Sequence, residues 1–348
     1  MRTLLIVWFG FISAICPGQP SQLLNRQIDE IKTTIYLPPD FNSGEPHKIL
    51  YVNDGQTAFG LIGLNLDGKT NELLEKKLIE PLIIVAIHSD KNRTSQYVPY
   101  FDSLVALDFG NYSPRADRYT KRIIQKVMPV IEKEYAPSKS NGITGYSFGG
   151  LYATWAALHY PDHFTFSGAQ SPSYWVKDFR IMNEAKKSKP EQTYYFDVGT
   201  GEWNYYVPFL QKSNLTILEN VFYYEDFGGY HDLESWRNRT HNILLLFAGS
   251  TNRSQYTWVI QKEVIKSQSN NRFYLRINPV IIFHNGLTCS LSFAATFQLT
   301  NPGDGIVNAD GSFRFTQPRD LKVIVTYQGE SREVLLSYSE IEKIKSSL

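Results

Sequence analysis

One serine stands out. Gly145-Tyr-Ser147-Phe-Gly149, followed by Gly150, places a hydroxyl between small residues. A serine hydroxyl is a weak nucleophile until a base takes its proton. A sharp strand-to-helix turn lifts such a hydroxyl clear of a sheet and aims the next amide, Phe148 N–H, at a developing oxyanion. The start of the helix adds partial positive charge there. A base and an orienting acid must then come from elsewhere in the chain, in the order serine, Asp or Glu, histidine.

Seven histidines are candidates for the base: His47, His88, His159, His163, His231, His241 and His284. The first four precede Ser147 or lie too near it. His284 falls in a C-terminal β-rich stretch, and His241 is mid-helix. His231 sits in the Gly-rich loop Phe227-Gly-Gly-Tyr-His-Asp-Leu-Glu-Ser-Trp236, between a strand and a helix. A loop there can hang over the end of the sheet, and histidine is the side-chain type suited to a general base. The acid belongs on the loop Val198-Gly-Thr-Gly-Glu202-Trp203, and Glu202, just past the strand end, is preferred to Asp197 within the strand. Asp226 and Asp232 are weaker candidates. A second oxyanion donor is expected from Tyr51-Val-Asn-Asp54-Gly55-Gln56, through the Gln56 N–H.

These residues need a scaffold of parallel strands. Ile31–Leu37 alternates apolar and polar positions, as a half-buried strand does. Residues 48–52 and 82–87 are dense apolar runs suited to strands covered on both faces. Between Arg118 and Tyr135, Ile123, Val127, Ile131 and Tyr135 form one helical face, which Pro129 should bend or restart. Strands are also read at 142–145, 193–198 and 220–225, with helices over 149–159 and 233–247. Such alternation predicts an α/β fold with a mostly parallel sheet over 28–248. Residues 249–270 read as a linker region. Short β runs separated by Asn-Gly and Asp-Gly turns over 271–340 predict a small antiparallel sandwich.

Composition narrows the classes. Net charge is +1 over 348 residues, so no global basic footprint for nucleic acid exists. Two cysteines, Cys16 and Cys289, cannot build a disulfide framework. Residues 1–18 carry Arg2, an apolar run and then small or turn residues, the pattern of a secretory signal peptide too short to span a bilayer. Cleavage after Gly18 is favoured over lipid attachment at Cys16, because Ile15 stands where a lipoprotein signal usually has Gly or Ala. No later run predicts a transmembrane segment, so the chain is expected to be exported, periplasmic or extracellular.

Together these segments resemble the esterase D / enterochelin-esterase-like (putative esterase) group of α/β-hydrolases. The resemblance rests on Ile49–Phe59 with Asp54-Gly55-Gln56, Arg93–Tyr100 with Tyr97-Val-Pro99, Gly142–Leu151, Tyr160–Phe164, Ser171–Trp175, Asp197–Glu202 and Gly228–Trp236. It implies carboxylic-ester hydrolysis by a triad of Ser147, His231 and Glu202, with no metal or organic cofactor. Two departures stand at the base loop, where Tyr230 separates Gly229 from His231 and Leu233 occupies a position where Trp is common. The C-terminal stretch has a weaker resemblance to a bacterial immunoglobulin-like module, a candidate carbohydrate- or protein-contacting surface.

Residues 194–236 hold 13 aromatic residues, and Trp203, Tyr205, Tyr206, Tyr230 and Trp236 lie in or beside the two loops. Trp203, Tyr230 and Trp236 are the expected substrate contacts, suited to sugar or aryl faces. Feruloyl, acetylated-glycan and catecholate esters all fit. An acyltransferase using the same triad, or a binding or scaffold protein with a silent hydrolase fold, are the alternatives.

Overall fold

The computed structural model describes residues 19–185, 192–202, 220–250, 255–266, 273–292 and 294–347. The segment read as a signal peptide, Cys16 within it, and Trp203, Tyr205 and Tyr206 lie outside the described residues.

Eight strands form the first sheet: β1 (Gln22–Ile28), β2 (Ile31–Leu37), β3 (His47–Val52), β4 (Leu82–Ile87), β5 (Ser138–Tyr146), β6 (Phe166–Gln170), β7 (Thr193–Gly199) and β8 (Val221–Asp226). Their order is β1-β2-β4-β3-β5-β6-β7-β8. β1 and β2 run antiparallel to their neighbours, whereas β4 through β8 are parallel. This is the mixed, mostly parallel α/β-hydrolase architecture expected from the sequence.

Period-2 alternation divides the core between the sheet's two faces. Ile49, Tyr51, Ile83 and Val85 pack into one apolar cluster with the helix Phe148–His159. Leu50, Val52, Leu82 and Ile84 join the other, which includes Leu244 and Leu245 of the closing helix, Leu233–Ala248. Each such side chain, fully buried, contributes about 1.5–3 kcal/mol.

Two local features differ from the sequence reading. The strand β1, in a stretch that reads as polar, pairs with β2 through a turn at Asp29 and Glu30, both at positive φ (47° and 63°). Two such residues make the primed turn that matches strand twist. The apolar face at 118–135 is helical from Ala116, but Ile123–Val127 is a π turn, and Pro129 lies at the start of the next helical piece. A strict four-residue spacing outruns the 3.6-residue period, and the wider turn lets Ile123, Val127 and Ile131 all stay buried.

Beyond Gly249 the chain forms antiparallel sheets. Within the stretch read as linker, β9 (Tyr256–Lys266) is a strand pairing along its whole length with β10 (Phe273–Phe283). β10 also pairs β11 (Thr288–Ser290) and β14 (Ser312–Phe315), and β14 pairs β13 (Gly305–Val307). β12 (Thr296–Leu299), β15 (Leu321–Tyr327) and β16 (Glu330–Leu336) make a third sheet. Trp258, Ile277 and Val323 belong to the same apolar cluster as the closing helix, so the C-terminal sheets share a core with one face of the first sheet. No helix among the described residues is long and apolar enough to cross a membrane.

Candidate active site

Parallel strands deliver their C-terminal ends to one edge, where loops can converge. β3, β5, β7 and β8 each end in a loop singled out above. After β5, Ser147 adopts φ 55° and ψ −123°, a strained conformation for a side-chain-bearing residue that costs on the order of 1–3 kcal/mol. Its backbone holds that geometry through Ser147 N–H to Gln170 O (3.0 Å) and through Ser147 O, which accepts from Leu151 N–H (3.0 Å) and Ser173 N–H (3.1 Å). A Cβ at Gly145 would lie 2.7 Å from the Gly149 carbonyl carbon, so only glycine lets strand and helix meet so closely.

The loop after β7 folds back on itself: Glu202 N–H donates to Gly199 O (3.2 Å), and the Glu202 Oε1 accepts from Gly199 N–H (2.7 Å). It also packs backbone to backbone on the base loop, with Gly201 N–H on Gly229 O (3.0 Å). A Cβ at Gly199 would meet that same oxygen at 2.2 Å. The two loops are thereby tied together at their backbones.

The result is a chain of two hydrogen bonds. His231 Nε2 lies 3.1 Å from the Ser147 hydroxyl, and His231 Nδ1 lies 2.8 Å from the Glu202 Oε2. The extra Tyr230 does not displace the ring. Tyr230 N–H is tied to the Ser235 hydroxyl (2.9 Å), while its side chain stays 53% exposed. The other acids are spent elsewhere. Asp232 caps the closing helix by accepting from Ser235 N–H (2.8 Å). Asp197 accepts from Tyr195 and from Ser171 N–H, and its burial pushes it up to about 6 against the pull of Arg239.

The N–H groups of Phe148 and Gln56 have no hydrogen-bond acceptor among the described residues. Gln56 follows Asp54, whose φ is 56°. Arg93 grips both Asp54 oxygens at 2.7 Å, and Asp54 N–H donates to the Tyr97 hydroxyl (3.0 Å). Arg93 and Tyr97 both belong to the Arg93–Tyr100 segment of the sequence resemblance, and holding this loop is what they do.

A family model described as Putative esterase matches residues 24–247, which spans all but the first two residues of the first sheet and all of these loops. This chain belongs to that family. Among individual relatives, the uncharacterized protein YbbA of Bacillus subtilis is 28% identical over 163 residues, 45% of this chain and 62% of YbbA. This chain thus spans less than two thirds of that relative. The BES protein from Bacillus cereus superimposes with a TM-score of 0.53 at 16% identity, over 72% of this chain and all of that one. Enterochelin esterase from Shigella flexneri superimposes with a TM-score of 0.50 at 19% identity, over 66% of this chain and 59% of that one. At such identities the likeness is one of fold.

Within this esterase-family site one expected residue sits differently. Trp236 is only 5% exposed, stacked on Tyr146 at 4.1 Å and edge-on to His231 at 5.0 Å, with its indole N–H donated to the Ser171 hydroxyl. A ring so enclosed offers a substrate little surface, and it braces the imidazole instead. Sequence reasoning missed Arg93's grip on Asp54, gave Ser171 no role beyond its place in the Ser171–Trp175 segment, and missed Arg239 entirely. Arg239 had one visible signal, a charged residue on the closing helix stripe that carries Trp236, Thr240 and Ile243 inward. Among the described residues no group of three or more His, Cys, Asp or Glu could hold a metal ion.

Proposed function

We propose that this protein is an exported serine carboxylic-ester hydrolase working through an acyl-enzyme. The observation that carries this reading is the Ser147–His231–Glu202 relay at 3.1 and 2.8 Å. His231 takes the Ser147 proton as the hydroxyl attacks the ester carbonyl. Glu202 fixes the Nδ1–H tautomer and stabilises the imidazolium. The free N–H groups of Phe148 and Gln56 receive the oxyanion. His231 then protonates the leaving alcohol, and water, deprotonated by the same imidazole, releases the acid.

The substrate proposed is an ester of an aryl, glycan or siderophore compound, with an aromatic acyl group favoured. The Phe148 ring meets Phe109, itself 56% exposed, at 4.9 Å and Trp175 at 6.3 Å, so apolar rings flank the residue after the nucleophile. Flat apolar walls with few polar anchors suit an aryl face.

The test is hydrolysis of a short-chain nitrophenyl ester and a feruloyl ester by wild type and Ser147→Ala. The substitution should remove activity by at least about 10³-fold. Equal rates for both proteins would refute the proposal.

A further inference from the structure

Glu202 uses one carboxylate oxygen on His231, and a buried apparatus holds the other. Ser171 is fully buried at φ 41°, immediately after β6. Its hydroxyl receives two donors, Trp236 Nε1–H and Arg239 Nη2–H, both at 2.8 Å. A hydroxyl has two lone pairs and one proton. With both lone pairs taken, the proton must point to its third neighbour, the Glu202 Oε1. That oxygen also accepts from Gly199 N–H, so it is committed and Oε2 faces the imidazole.

Arg239 does more than orient the hydroxyl. It is 1% exposed on the closing helix and lies among three carboxylates: Asp197 of β7 at 3.1 Å, Asp226 of β8 at 3.1 Å and Glu202 at 3.6 Å. Burial raises both Asp197 and Asp226, and Arg239 is the cation that pulls them back. Glu225, Glu263 and Arg276 lie farther along β8 and the C-terminal sheet, and His231 faces the cluster from the base loop.

We infer that Ser171 and Arg239 are positioning residues for the triad acid: the Ser171 hydroxyl clamps the Glu202 oxygen that His231 does not use, and Arg239 orients that hydroxyl and supplies the neutralising charge. This rests on the triad reading above. Neither residue touches a reacting atom. The expected signature is a lower kcat with little change in KM, together with a displaced pH profile.

The experiment measures kcat, KM and the pH dependence of kcat/KM for Ser171→Ala, Arg239→Lys and Arg239→Gln, with Ser147→Ala in parallel and folding checked by circular dichroism. Ser171→Ala should lower kcat by about 10- to 100-fold, the size of one charge-assisted hydrogen bond, with KM within about twofold. Arg239→Gln leaves three carboxylates beside the imidazole without their cation. Carboxylates and imidazole then both hold protons to higher pH, and either event disables the base. The acid limb of kcat/KM should therefore rise by about one pH unit or more. Arg239→Lys keeps the charge without the fork, so the limb should stay in place while kcat falls. Should Arg239→Gln not fold, Ser171→Ala decides alone. A folded Ser171→Ala with wild-type kcat and an unmoved limb overturns the inference. If Ser147→Ala were as active as wild type, the triad reading would fail instead, and the two failures are distinct.

Discussion

Two buried arginines, Arg239 behind Glu202 and Arg276 where the C-terminal sheets meet β8, solve the same problem differently. Both are nearly inaccessible, at 1% and 3% exposure. Arg239 serves three carboxylates, two of which also accept from neutral donors: Ser171 and Gly199 on Glu202, Tyr195 and Ser171 N–H on Asp197. Arg276 pairs Glu225, which also accepts from the Tyr223 hydroxyl (2.9 Å), and donates to Asp310 O (3.0 Å). Nearby Glu263 has only a long contact from Asn278 (3.5 Å), and its second oxygen has no hydrogen-bond partner among the described residues. Burial, with Glu225 adding to it, pushes Glu263 up to about 8, which favours its protonated form. The first cluster surrounds its anions with donors beside an imidazole. The second leaves one acid to hold its proton and serves to join two layers, with Glu225 N–H on the Ser290 hydroxyl (2.9 Å) and Thr288 N–H on Asn242 (3.0 Å).

If the contrast is sound, damage to the two clusters should be felt in different measurements. Glu202→Gln keeps the volume but removes the acceptor charge that fixes the tautomer. Its kcat/KM should fall by about 10³- to 10⁴-fold with the melting temperature little changed, read from steady-state rates and calorimetry. Arg276→Ala removes one partner of a buried pair and should cost about 3–5 kcal/mol of stability in urea unfolding. The activity per folded molecule should stay within about twofold of wild type; a large loss there would erase the distinction.

A third effect, visible only when stability is followed against pH, is expected at Glu263. Its folded-state pKa lies above its unfolded value near 4.5, so the native state binds more protons between about pH 4.5 and 8. Its contribution is fully present below that window and is lost as pH rises through it. Glu263→Gln should abolish this part of the decline, so that wild type and variant match near pH 4.5 and separate by pH 8. Parallel melting curves across that range would contradict the assignment.

Much of this was legible because the chemistry forces residue type. Ser147 must lie between glycines for its turn to close, and a histidine loop must follow the penultimate connection. Position in the chain separates Glu202 from Asp197 because a side chain inside a strand is fixed to one sheet face, and Glu202 is the one hydrogen-bonded to His231. What stayed hidden was support supplied from far along the chain. Ser171 is an ordinary serine in sequence, and its importance comes from the indole and guanidinium that 65 and 68 residues of chain bring to it. The strand β1 was hidden by its polar composition, since an edge strand with one exposed face needs few apolar residues, and its Asp29-Glu30 turn lacks the usual glycine. Trp236 misled because an aromatic beside a catalytic loop looks alike in sequence whether it faces substrate or braces the base. Strand β9 was obscured because its charged residues Lys262 and Glu263 break the apolar pattern, and Glu263 is nonetheless buried.

The proposed chemistry requires the hydroxyl of Ser147 to be the activated nucleophile. Incubation with a fluorophosphonate followed by peptide mass spectrometry reads this directly. One covalent phosphonyl adduct is expected on the peptide containing Ser147, forming in step with loss of esterase activity and greatly slowed in His231→Ala. Activity lost with the adduct on another residue, or ester hydrolysis persisting with Ser147 fully labelled, would contradict it.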